Sequence, residues 1–381
     1  MSVSPSRFSG AEEAMRYAIS LARRGEGWVE PNPMVGAVVV DQDWQKLGEG
    51  WHQQYGGPHA EVHALREAGE RTKGQTLIVT LEPCCHFGKT PPCSRAVIAA
   101  GIRRVIVGLT DPNPQVAGGG IRELQAAGIE VETGLLRNEI ERLNAPFLTM
   151  QTRQRPYVLA KWAMTWDGKI AAATGESQWI SGPESRARVH QLRGRVDAIL
   201  VGRMTAERDD PQLTARPPGP RTAVRVVVDS QARLSVQSHL VRTARETPVL
   251  VCCAEQAPAD RIAALQASGV QIERFASGEL EEETGRPSVA ALLRRLAARR
   301  VTNLLVEGGG ELLGAFHDAH LIDEVHLFLC PGLMGGRGAI SPAGGHGVAH
   351  PRQMPRLTDA VYERSGEDWY CRSRVDWSPQ S

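Results

Sequence analysis

Short, mostly apolar runs that alternate with amphipathic helical patterns constrain this chain more than any other feature. Val35–Val40, Thr76–Thr80 and Arg104–Val107 each read as a strand, with helical segments at His59–Ala68 and Ser94–Ala100 between them. A helix over Ala11–Arg24 precedes them, with Ala14, Ile19, Leu21 and Ala22 on one side, and a helix (Ile121–Ala127) and strand (Glu130–Thr133) follow. A strand that is apolar throughout has to be covered on both faces. The pattern therefore predicts a layered α/β sheet with helices above and below it.

The rhythm breaks near Thr149–Pro156, where Gln151-Thr-Arg-Gln-Arg-Pro156 is polar, and then restarts. Strands are expected at Tyr157–Ala163, Ala198–Val201, Val224–Val228, Val249–Val251, Asn303–Val306 and Val325–Leu329. Helices are expected at Pro183–Arg193, Asp260–Ala267, Val289–Ala298 and Glu311–His317, and loops at Arg216–Pro220, Gly278–Ser288 and Ser341–Ala349. A chain of 381 residues exceeds one ordinary core. Two α/β domains in tandem, 1–150 and 151–381, is the economical organisation.

Composition narrows the function classes. With 41% hydrophobic and 23% charged residues the chain reads as a soluble globular protein. A net charge of +1 supplies no global field for nucleic acid or an anionic membrane. No apolar run approaches a membrane span of about 20 residues, and Met1–Gly10 lacks the apolar core of a signal peptide. Seven cysteines, an odd number, argue against a disulfide framework and for a reducing, cytoplasmic setting.

The chemistry concentrates in His59-Ala-Glu61 at a helix start, Glu82-Pro-Cys84 after a strand, and Pro92-Cys93. Zinc favours imidazole and thiolate, and a catalytic site uses three protein ligands with the fourth position left to water. His59, Cys84 and Cys93 meet that count. Bound zinc lowers the pKa of water from about 15.7 to about 7, and a nearby carboxylate then has to carry the proton. Glu61, two residues past the imidazole, can do so without being a ligand. His-x-Glu with Pro-Cys is the general signature of zinc deaminases. Two rivals stay open. His63, at i+4 from His59, could pair with it on zinc, although a satisfied structural histidine is the simpler reading. Cys85 or His86 could close the site with a fourth ligand and make the metal structural.

Eight residues, Cys85–Pro92, separate the two thiolates, where most such deaminases have two; the loop would bring Lys89 to the pocket rim. In the second half, Glu307-Gly-Gly-Gly310 lies between a strand and a helix, where free N–H groups can bind phosphate or simply form a tight turn. Arg193, Arg216 and Asp209-Asp210 lie near strand ends, where α/β ligands bind. Read singly, each is also an ordinary surface charge.

Pro31-Asn-Pro-Met-Val-Gly-Ala37, Gly48-Glu-Gly-Trp-His52, His59-Ala-Glu-Val-His63 and Thr80-Leu-Glu-Pro-Cys84 through Pro91-Pro-Cys93 resemble the bifunctional deaminase/reductases of riboflavin biosynthesis. The stretches Lys161 to Asp167-Gly-Lys169, Gly175–Ile180, Asp197–Gly202, Asp209-Asp-Pro211 and Glu307–Gly310 are similar to the same family's reductase half. The resemblance implies a cytidine-deaminase-like three-layer α/β/α domain followed by a dihydrofolate-reductase-like α/β domain. It implies zinc-dependent hydrolytic deamination of a 2,5-diamino-6-(phosphoribosylamino)pyrimidinone, with Asn32, His52 and Lys89 lining that pocket. NADPH-dependent reduction of the ribosyl to a ribityl chain would follow. The cofactor would lie against Ala163, Trp179, Thr205, Asp209, Ser230 and the glycines Gly308, Gly309 and Gly310. Ser177, Arg193, Leu213, Arg216 and Glu307 would hold the substrate, the two arginines forking onto its sugar phosphate. Cys85 stands where that family often has Ser, Trp166 where a smaller apolar residue is common, and Arg203 is a further departure. The expected partners are a small-molecule substrate and further copies of the chain in a homo-oligomer, with no nucleic acid and no membrane.

Overall fold

A computed structural model describes residues 5–87, 91–113 and 116–378. Lys89, expected at the deaminase rim, lies outside the described residues. The chain divides into two compact units between Gln154 and Arg155. The polar stretch expected to start the second domain at 151 instead completes a helix. Phe147 and Thr149 bury its inner side, and the Thr152 hydroxyl donates to the Leu148 carbonyl at 2.7 Å.

The first unit is built on a five-stranded sheet in the order β2-β1-β3-β4-β5. Its strands are β1 (Gly36–Val40), β2 (Lys46–Trp51), β3 (Thr76–Leu81), β4 (Arg104–Leu109) and β5 (Glu130–Thr133). The hairpin β1–β2 and the pair β1–β3 are antiparallel, whereas β3–β4 and β4–β5 are parallel. Its helices are α1 (Ala11–Ala22), α2 (Ala60–Ala68), α3 (Cys93–Ala99), α4 (Gly119–Ala126), α5 (Arg137–Leu143) and α6 (Ala145–Arg153). Alternate residues of each strand face opposite layers. Val38, Val40, Ile78 and Ile106 pack under α1 and α5, through Ala14, Met15, Ala18 and Ile140. Ala37, Val39, Leu77, Val79 and Val107 pack under α2, α3 and α4, through Ala64, Val97 and Leu124. The result is the expected three-layer α/β/α arrangement.

The second unit carries a nine-stranded sheet, β10-β9-β8-β7-β11-β6-β12-β14-β13. Its elements in chain order are β6 (Tyr157–Thr165), α7 (Pro183–Arg193), β7 (Ala198–Gly202), α8 (Arg203–Asp209), β8 (Val224–Val228), α9 (His239–Arg242), β9 (Val249–Ala254) and α10 (Ala259–Ala267). There follow β10 (Gln271–Phe275), α11 (Val289–Ala298), β11 (Asn303–Val306), α12 (Gly310–Asp318), β12 (Glu324–Cys330), β13 (Arg356–Ser365) and β14 (Asp368–Asp376). The seven strands from β10 to β12 in that order run parallel, and the β13–β14 hairpin is added antiparallel. Ala198 and Leu200 of β7 face α11 and α12, through Leu292, Leu296 and Phe316, while Ile199 and Val201 face α9 and α10, through Leu240, Ile262 and Leu265. Parallel strands bring their carboxyl ends to one edge. That edge carries Ala163 on β6, Gly202 ending β7, Ser230 after β8 and Glu307 after β11.

Candidate metal centre and reductase cleft

His59 is the N-cap of α2, in extended backbone just before the first helical turn. Cys84 follows the carboxyl end of β3, and Cys93 is the first residue of α3. A helix leaves its first N–H groups without intrahelical partners; that of Cys93 points at Cys84 Sγ, 3.4 Å away. His59 Nδ1 lies 3.6 Å from Cys84 Sγ and 3.2 Å from Cys93 Sγ, and the three ligand atoms lie within 4.8 Å of one another. Tetrahedral zinc with bonds of about 2.0–2.3 Å needs its donors roughly 3.3–3.8 Å apart. The set fits. The hydrogen bond from Cys93 draws the Cys84 thiol down to about 4 against the penalty of burial. The same contact, with burial, pushes Cys93 up.

Glu61, in the first turn of α2, is 3% exposed, and its Oε2 has no hydrogen-bond partner among the described residues. Burial pushes its carboxyl up to about 7, with His59 pulling the other way. His52 is also buried and packs edge-on against His59, ring centroids 5.2 Å apart. Burial lowers its pKa, so the ring is neutral. Nδ1 lies 3.1 Å from the Pro58 carbonyl, an acceptor, and must carry the proton. Nε2 then accepts from Asn32 Nδ2 at 3.2 Å, which leaves the Asn32 carbonyl oxygen to accept from a ligand's amino group. The sequence singled out both residues, and the fold brings both beside the metal ligands.

It also adds two that sequence reasoning missed. Asp111 sits just past the carboxyl end of β4; burial raises it to about 6, with Glu82 and Cys84 adding to the rise. Glu82 is buried at the end of β3 and accepts from the N–H groups of Asp111, Gly118 and Ile121. It ties the β4–α4 loop to the Cys84 loop. The usable signal was position, a carboxylate directly after a buried parallel strand. Glu82 also sets Gly120 so close that a Cβ there would stand 1.9 Å from the Pro83 carbonyl oxygen. Gly120→Ala is expected to cost about 1–3 kcal/mol and to displace Cys84, so thermal denaturation and bound-metal content should fall together.

His63 lies outside the cluster of three ligand groups found among the described residues, but neither is it the satisfied structural histidine expected. Its Nε2 is buried without a hydrogen bond among the described residues, beside Trp51 and Arg66 in a small pocket of about 310 Å³. Cys85 stands outside the ligand trio, its Sγ close to Gly119.

In the second unit a cleft of about 1010 Å³ opens at the carboxyl edge of the sheet, and it collects every reductase residue expected from the sequence. Gly308 supplies a left-handed backbone (φ 118°) at the turn into α12. Ser177 Oγ lies 3.2 Å from Asp209 Oδ1, and burial raises the Asp209 carboxyl. Glu307 is buried and accepts a fork from Arg193 (Nε 2.6 Å, Nη2 2.8 Å) and a contact from Lys161 Nζ at 3.2 Å. Burial would raise its carboxyl, but the two cations overcome that and hold it well below the usual carboxylate range. In the structure the Arg193 fork is paired with Glu307 rather than held free for a sugar phosphate. Arg216 is exposed and, among the described residues, hydrogen-bonds to Gln212 and Thr214. Lys161 was not expected as a site residue; only the pairing of β6 with β11 brings it to Glu307.

Comparison with known proteins bears on both sites. The family described as the cytidine and deoxycytidylate deaminase zinc-binding region matches residues 9–109, and the RibD C-terminal domain matches residues 156–371. The riboflavin biosynthesis protein RibD of Actinobacillus pleuropneumoniae is 41% identical over 354 residues, covering 93% of this chain and 92% of that protein. This chain belongs to the RibD family. RibD of Escherichia coli strain K12 is 40% identical, over 85% of this chain and 88% of its own. Among solved structures, a diaminohydroxyphosphoribosylaminopyrimidine deaminase/5-amino-6-(5-phosphoribosylamino)uracil reductase from Thermotoga maritima superposes with a TM-score of 0.81 at 35% identity, covering 96% of this chain and 98% of that one. RibD of Acinetobacter baumannii gives 0.81 at 34% identity, with the same coverage. As a RibD-family enzyme, the chain is a bifunctional deaminase and reductase of riboflavin biosynthesis, a hydrolase in its first unit and an oxidoreductase in its second. Among the described residues, no helix is long and apolar enough to cross a membrane.

Proposed function

We propose that the first unit hydrolytically deaminates a 2,5-diamino-6-(phosphoribosylamino)pyrimidinone, and that the second then reduces the ribosyl group to ribityl with NADPH. One observation carries the reading: His59, Cys84 and Cys93 converge beside a buried carboxylate whose Oε2 has no protein partner among the described residues. Those three residues would hold zinc, which would supply an acidified water at its open position. Glu61 would carry the proton between that water and the departing amine; a carboxyl raised towards neutrality is suited to both transfers. Asn32 and His52 orient the ring edge.

In the second unit the glycine turn before α12 receives the cofactor's phosphates, with Ala163, Trp179, Thr205, Asp209 and Ser230 along its length. Ser177, Arg193, Leu213, Arg216 and Glu307 would bound the substrate, with NADPH as the source of the hydride that reduces C1 of the opened ribose. The same reading makes the enzyme cytoplasmic and homo-oligomeric, with no nucleic-acid or membrane partner. The exposed edge strand β13, with Leu357 and Tyr362 55% and 69% exposed, supports self-association.

The test is a paired assay on purified protein. Chelation should abolish ammonia release from the diaminopyrimidinone and spare NADPH oxidation when the uracil intermediate is supplied. Ammonia release that survives complete removal of metal would overturn the first half; absence of NADPH oxidation would overturn the second.

A further inference from the structure

In the second unit, Gly202 N–H donates to the Gly308 carbonyl at 3.0 Å, so the start of α8 lies against the glycine turn. A Cβ on Gly309 would stand 3.1 Å from Thr205 Oγ1. A dinucleotide whose phosphates sit on that turn runs on along the ends of β7 and β8, which are neighbours in the sheet. In α/β dinucleotide sites, an acid near such a strand end binds the hydroxyls of the adenosine ribose, whereas an arginine accommodates a 2′-phosphate.

Here the acid is present and occupied. Asp229 follows β8 directly, but it is only 2% exposed, and its Oδ2 accepts from Leu234 N–H at 2.7 Å. Its Oδ1 faces Arg203 Nε at 3.9 Å. Almost none of that carboxylate is left for a ribose diol. Arg203, the first residue of α8, and Ser230 line this part of the cleft beside it. The Arg203 guanidinium is partly exposed and bonds through Nη1 to Glu207, one turn on in the same helix. Glu207 is itself exposed and can turn to solvent. Arg203 belongs to neither of the residue sets read above as lining the cofactor or the substrate.

We propose that Arg203, assisted by Ser230, reads the 2′-phosphate of the nicotinamide cofactor and so makes the cleft selective for NADPH over NADH. The inference rests on the cofactor reading above and adds a determinant to it. The phosphate replaces Glu207 as the partner of the guanidinium, and Arg203 bridges it to the buried Asp229, which would otherwise repel it.

Binding to the full-length, zinc-loaded protein, measured by calorimetry without turnover, tests this with four probes: NADPH, NADH, 2′,5′-ADP and 5′-ADP. Wild type should prefer each 2′-phosphorylated probe, and the preference should shrink as salt rises. Arg203→Ala should weaken NADPH and 2′,5′-ADP about 10- to 100-fold, the scale of a hydrogen bond to a charged group. NADH and 5′-ADP should be held as before, which also shows that the variant is folded. Glu207→Gln removes the competing carboxylate and should tighten only the phosphorylated pair. If Arg203→Ala weakens all four probes alike, or none, the proposal is overturned while the cofactor reading stands. If wild type binds neither dinucleotide, the cofactor reading falls first and this inference with it.

Discussion

Glu61→Gln should reduce deamination by about a hundred- to ten-thousand-fold, the usual contribution of a positioned proton carrier, with zinc still bound. The amide keeps the carboxylate's size, so the packing of α2 is retained, and Glu61 is not among the three ligand groups. What it loses is the ability to accept and return a proton at Oε2, which is buried with no hydrogen-bond partner among the described residues. Ammonia release, bound zinc and NADPH oxidation with supplied uracil intermediate should be measured on the same preparation. The first should collapse and the other two should hold. Loss of zinc would make Glu61 a structural group, and loss of reduction would mean that the two activities are coupled.

Glu307→Gln should act on stability as strongly as Glu61→Gln acts on rate. It leaves the part-buried Arg193 and Lys161 beside a neutral amide; breaking a buried ion pair in this way costs about 3–5 kcal/mol. The pH dependence follows from the direction of the shift. The folded-state pKa of Glu307 lies below its ordinary 4.5, so its stabilisation is fully present above that value and is lost as pH falls towards the folded-state pKa. Thermal denaturation of wild type and variant should differ most near neutrality and converge in acid. A constant difference down to pH 2 would mean that Glu307 contributes by packing rather than by charge.

The parts of the fold legible in the sequence were those with a buried period. β1, β3 and β4 are apolar at nearly every position because both faces are covered, and β8, β11 and the start of β7 were placed for the same reason. The helix at Arg137–Leu143 and the strands β2 and β10 escaped. β2 reads Lys-Leu-Gly-Glu-Gly-Trp, with its glycines beneath α2, and β10 is polar at most positions. β13 has almost no buried face, so no alternation could mark it.

The metal ligands were legible because each stands at a recognisable punctuation mark: a helix cap, the residue after a strand, and a helix start after Pro92. Asp111 was not, since Asp-Pro in isolation is a turn; only the order β3-β4 brings it to Cys84. Arg193 shows a partner that the sequence could not reveal. An arginine ending a helix near a glycine turn looks like a phosphate ligand until β11, lying between β6 and β7, delivers Glu307 to it.

X-ray absorption at the zinc edge, with metal analysis on the same sample, is the most direct test of the central claim. Zinc bound at one ion per chain, with two sulfur donors at about 2.3 Å, one nitrogen at about 2.0–2.1 Å and one light non-protein atom, is the expected result. A fourth protein sulfur or nitrogen, or a chain that purifies active without zinc, would contradict it.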